Sequence, residues 1–71
     1  MKAQSFSITL NKIRLVFAVG DENGNGTVDV SLTVRIIDLF ELPPFVVDLD
    51  MQLAEDAITA FKAFSAALTK R

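Results

Sequence analysis

The run Ile13-Arg14-Leu15-Val16-Phe17-Ala18-Val19, then Gly20-Asp21-Glu22-Asn23-Gly24-Asn25-Gly26-Thr27, then Val28-Asp29-Val30-Ser31-Leu32-Thr33-Val34-Arg35-Ile36, decides the fold. Ile13, Leu15, Phe17 and Val19 recur at every second position, as do Val28, Val30, Leu32, Val34 and Ile36. A period of two places such side chains on one face of a strand. The second run is also rich in β-branched residues, which suit a pleated surface. The segment between them holds all 3 glycines of the chain and two Asn-Gly steps, the composition of a turn. The pattern predicts a long antiparallel hairpin closed by a loop over 20–27.

Upstream, Phe6, Ile8 and Leu10 alternate in the same way, which extends the first strand to about 5–19. The second extends to about 28–40. Pairing Val19 with Val28 sets Phe17 opposite Val30, Leu15 opposite Leu32 and Ile13 opposite Val34 on one face. The same register sets Leu10 opposite Ile37 and Ile8 opposite Leu39 on the other face. Both strands thus change their apolar side at one rung, near Asn11 and Ile36. A bulge in each strand accounts for this, as does a ribbon whose far half covers a second core belonging to a partner chain.

Downstream, Pro43-Pro44 ends the second strand, because proline has no amide to give to a ladder. Residues 45–49, Phe-Val-Val-Asp-Leu, read as a short third strand or an extended approach to a helix. From about 50 to 69 there is no glycine or proline and much alanine. Asp48 or Asp50 is placed to cap that helix, with Lys70 and Arg71 at its end favourable to the dipole. Ala54, Ala57, Ile58, Phe61, Phe64 and Leu68 follow one helical face. The reading is an α+β chain: an antiparallel hairpin followed by one C-terminal α-helix packed on the sheet, a single domain over 1–71.

The chain has 71 residues, 51% of them hydrophobic, and a net charge of −2. Its mean hydropathy is +0.40. It has no Cys, His, Trp or Tyr, so it can build neither a disulfide nor a zinc site, a thiol nucleophile or a histidine base. Ser5, Ser7, Ser31 and Ser65 have no histidine to activate them, and no enzyme is expected. The start of the chain lacks a basic stretch followed by an apolar run, and no apolar run is long enough to span a bilayer. A cytoplasmic protein without membrane contact is expected. The net charge gives no reason to expect nucleic-acid binding.

Three groups of residues are candidates for function. Asp21, Asn23, Asn25 and Asp29, with Gly26 and Thr27 between, resemble the front of an EF-hand calcium loop, whose oxygens at alternate positions converge on a hard cation. The resemblance stops there: Leu32 stands where a bidentate Glu belongs, and the flanks are strands rather than helices. It implies a weak calcium site at most, and no other cofactor. Lys12, Arg14 and Arg35 share the polar face, with Lys12 opposite Arg35, and form a patch for an anion or an acidic partner. Ile8, Leu10, Ile37 and Leu39, with Ala60, Ala63 and Ala67 on the helix flank, form a candidate interface. Small side chains let another backbone approach closely. A domain this small also has little core of its own. The expected function is therefore self-association, with a homodimer favoured, in a structural, adaptor or inhibitor role toward other protein partners. The alternative is an ion- or ligand-binding module at the hairpin tip.

Overall fold

The computed structural model describes residues 2–69. The chain forms β1 (Gln4–Leu10), β2 (Ile13–Glu22), β3 (Thr27–Ile36), β4 (Phe40–Glu41), β5 (Phe45–Asp50) and α1 (Met51–Thr69). All strand pairings are antiparallel. β1, β2 and β3 lie side by side, and both β4 and β5 pair along the far edge of β3. The α+β class holds, and the sheet has five strands rather than a hairpin alone.

The expected single strand over 5–19 is two strands. The chain reverses at Asn11-Lys12, with Leu10 opposite Ile13, Ile8 opposite Leu15 and Phe6 opposite Phe17. Asn11 has φ 45°, a left-handed conformation that asparagine tolerates better than most residues. This turn removes the apparent change of side. Two turn residues bring Phe6, Ile8 and Leu10 back over the face that Ile13, Leu15 and Phe17 already occupy. Neither a bulge at that rung nor a second core is needed.

The second strand ends at Ile36 instead of continuing to 40. Residues 37–39 form a turn with Asp38 at φ 69°, in which the Leu39 amide donates to the Ile36 carbonyl. Ile37 and Leu39 therefore do not pair with Leu10 and Ile8. The Ile37 amide donates instead to the carbonyl of Lys12 at 2.8 Å. At the tip the register also differs: Val19 faces Val30, and an irregularity between Val19 and Glu22 lets Glu22 face Val28. The two strands thus extend into the expected loop, leaving only residues 23–26, where Gly26 has φ 86°. The new register is shifted by an even number of residues, so Ile13 to Val19 and Val28 to Ile36 keep their predicted faces.

Residues 45–50 are a paired strand, with Val47 opposite Val30 and Leu49 opposite Val28. The helix follows at once. Asp50 caps it, its Oδ1 accepting from the Leu53 amide at 2.8 Å. Lys70 and Arg71, expected at the helix end, lie outside the described residues. The core joins Phe17, Val19, Val28 and Val30 of the sheet to Ala54 and Ile58 of the helix. Phe17 stacks on Phe61 at 5.0 Å between ring centroids, and Lys62 Nζ lies 5.1 Å from the Phe6 ring centroid. The helix therefore crosses the sheet obliquely, from β5 towards β1.

Substitutions at two positions test these joints by denaturant unfolding. Asn11→Val should cost about 1–2 kcal/mol while Asn11→Gly is close to neutral, because only the former resists a positive φ. Asp50→Ala should cost about 1 kcal/mol through the lost cap. An Asn11→Val protein as stable as the parent would contradict the left-handed turn.

Candidate functional site

The oblique helix divides the apolar face of the sheet. Near the hairpin tip that face is sealed, with Val28 fully buried. Away from the tip it is open, as a groove of about 570 Å³ between helix and sheet, bordered by Leu15, Leu32, Phe45, Ala60, Phe61 and Phe64. Among the described residues, no charged one lines it. Beyond the groove Ile13, Leu39, Phe40 and Leu42 are exposed, and Phe45 itself is 68% exposed.

The openness shows in the dimensions of the chain. It presents 5001 Å² to water, about 600 Å² more than the ~4,400 Å² of an ordinary monomer of this mass. Its radius of gyration is 13.0 Å, where about 11 Å is usual for this length.

The expected interface residues are dispersed. Ile8 is buried within the chain, and Leu10 and Ile37 are half-buried at neighbouring turns. Leu39 is 74% exposed. On the helix, Ala60 borders the groove, while Ala63 and Ala67 are exposed on the flank. The larger hydrophobic surface is formed by Leu32, Phe40, Phe45 and Phe64, whose exposure no local sequence pattern marks. Its signal was there as an excess of large apolar residues for one helix to cover.

The opposite face of the sheet carries no covering element. Its centre is made of Ser5, Ser7, Val16, Ala18, Ser31, Thr33 and Val46, all exposed or half-buried. Arg14 and Arg35 are direct cross-strand neighbours at one end, and Arg14 Nε donates to Thr9 Oγ1 at 3.3 Å. Lys12, expected opposite Arg35, sits instead in the adjacent turn, because the register places Arg14 there. Glu41 flanks Arg35 on its other side. At the other end Asp29 faces Asp48. Like charges placed directly opposite one another are destabilising, so this face carries two unfavourable pairs of opposite sign.

The tip residues are tied to their surroundings. Asp21 Oδ1 accepts from the Ala3 amide at 3.1 Å. Asn25 Oδ1 accepts from both the amide and the hydroxyl of Thr27, at 3.2 and 2.7 Å. Asn23 Nδ2 reaches Asp29 Oδ1 at 3.4 Å and Asp48 Oδ1 at 3.1 Å, lying between the two carboxylates. Thr27 Oγ1 also accepts from Asn23 Nδ2 at 3.4 Å, so Asn23, Asn25 and Asp29 share one network while Asp21 is engaged apart from it. Among the described residues no three carboxylates are grouped as a metal site, and no helix is long and apolar enough to cross a membrane.

No protein-family model, curated protein or solved structure matches this chain.

Asp48→Asn keeps an acceptor for Asn23 and removes the repulsion with Asp29. In dilute solution at low salt it should stabilise the fold by a few tenths to about 1 kcal/mol, and the gain should shrink as salt screens the pair. Thermal unfolding at two salt concentrations reads this directly.

Proposed function

We propose that this chain is a non-enzymatic, self-associating protein that acts through protein contacts, and that two copies bury the open half of the apolar sheet face against each other. The observation that carries this reading is the groove between α1 and the sheet, with Leu32, Phe45 and Phe64 exposed around it. An uncharged, contiguous apolar surface of this kind marks a contact site. The excess exposure of about 600 Å² is of the order that one partner contributes to a standard interface, about 800 Å². The same patch on both subunits makes the contact isologous, so it closes at two copies. Phe45 and Phe64 project from opposite walls of the groove and supply the aromatic anchors on which such contacts depend.

A second reading, weak calcium binding at the hairpin tip, draws on the approach of Asp29 and Asp48 to Asn23. Loops with few charges and no bidentate ligand bind calcium at about millimolar concentration. Calcium at ten times such a constant would add about 1.4 kcal/mol of stability. Absence of amide shifts over 24–29 at that concentration would overturn this reading.

The principal test is sedimentation equilibrium. At 500 mM salt the parent chain should be dimeric at micromolar concentration. Under the same conditions Phe45→Glu, at an exposed position that needs no repacking in the monomer, should shift it to monomer without loss of helix or strand signal. A parent chain that sediments as a monomer at 100 µM would overturn the proposal.

A further inference from the structure

We infer that the second, uncovered face of the sheet is also an interface, and that its occupant is another copy of this chain, packed sheet against sheet with its strands reversed. The inference goes beyond the apolar contact proposed above, since it uses the other side of the sheet and a different interaction.

The argument rests on where the charges lie. Arg14 and Arg35 form one end of the face, and Asp29 and Asp48 the other. On β3 the two ends are six residues apart, or about 20 Å at ~3.4 Å per residue. Between them the face is uncharged, and its side chains are no larger than valine. Each end is strained by a like-charge pair, and nothing within the sheet relieves the acidic one except the Asn23 amide. Glu41 offsets Arg35 from the edge, which leaves Arg14 and the adjacent Lys12 as surplus positive charge. A two-fold axis lying between the sheets, perpendicular to the strands and level with the centre of the face, lays the arginine end of each copy over the aspartate end of the other, with Arg35 over Asp29, while Glu41 falls over Asp48 in the same lane and offsets part of that attraction. An axis parallel to the strands would set like against like and is excluded by the same charges. The pattern thus selects one arrangement, which is how complementary charge fixes register. The small central side chains let the two sheets approach without a side chain blocking the middle. Since the attraction comes mainly from exposed charges, the contact should be sensitive to salt.

The test uses full-length chain carrying Phe45→Glu, so that the apolar contact is disabled and its success or failure does not enter. In this background two variants are made: Arg14→Glu with Arg35→Glu, which makes both ends acidic, and Asp29→Lys with Asp48→Lys, which makes both ends basic. Each alone should remain monomeric at 100 µM and 20 mM salt, and an equimolar mixture should form a 1:1 complex at least tenfold tighter than either self-complex. That complex should weaken at least tenfold at 500 mM salt. Circular dichroism of each variant checks that it is folded. Should either fail to fold, the Phe45→Glu chain itself serves: it should self-associate at 20 mM salt and dissociate at 500 mM. No complex in the mixture of folded variants overturns the inference, and so does a Phe45→Glu chain that stays monomeric at low salt. Association that ignores salt overturns it too.

Discussion

One helix cannot cover the apolar face that these strands create, and the rest of the structure follows from that shortfall. A helix of 19 residues is about 28 Å long and ~10 Å wide. β2 and β3 have 10 residues each, so they run for about 34 Å, and four lanes at ~4.8 Å make the sheet nearly 20 Å broad. A rod laid obliquely on such a surface seals a band and leaves a corner. The band is the cluster of Phe17, Val19, Val28, Val30, Ala54 and Ile58, where β3 lies between β2 and β5. The open corner falls at Leu32 and Phe45, on the side away from the helix's course toward β1. Asp50 sets that course, because it ends β5 and caps α1 with no linker between. The helix must therefore start at the tip end of β5.

Local chemistry made the elements legible. The alternation of Ile13 to Val19 and of Val28 to Ile36, the glycines of the tip, the proline pair and the unbroken run from Met51 to Thr69 each point to one structure. The Asn11-Lys12 turn was missed because its signal is small. It consists of two polar residues between Leu10 and Ile13, with no glycine, and a strand that continues through them has nearly the same pattern. The period break was visible, but it was read as a change of face rather than of direction. These are alternatives that periodicity alone cannot separate, since a two-residue hairpin and a one-residue slip both shift the phase of the pattern. Asparagine's tolerance of a positive φ decides between them.

The candidate surfaces were less legible than the fold, for a geometric reason. Which apolar residues stay exposed depends on the angle at which the helix crosses the sheet, and no local pattern encodes that angle. Ile8 and Phe45 look equivalent in the sequence. One is buried and the other 68% exposed. The opposition of Asp29 and Asp48 likewise required knowing that β5 pairs with β3 rather than with β1. Arg14 and Arg35 were closer to recognition, since both lie on the central hairpin. Only the two-residue shift in register separated the expected pair, Lys12 with Arg35, from the observed one.

The two uncovered surfaces differ in kind, and their placement on opposite sides of one sheet constrains any assembly that uses both. The corner beside α1 is apolar and recessed, so its burial depends on displaced water and responds little to salt. The reverse face is flat and charged at its ends, so its contacts are directional and screened by salt. In the contacts proposed above, each surface would meet its own copy across a two-fold axis. Two different two-folds acting on one subunit produce a closed assembly when their axes intersect at a whole fraction of 180°, a tetramer at right angles, and an open filament when the axes do not intersect. On the reverse face the charges orient the axis perpendicular to the strands. On the apolar side the axis is set by how Phe45 and Phe64 of one copy enter the groove of the other, and hence by the oblique angle of α1. The angle of one helix on its sheet thus decides both how much apolar surface remains and whether an assembly built on that surface can close.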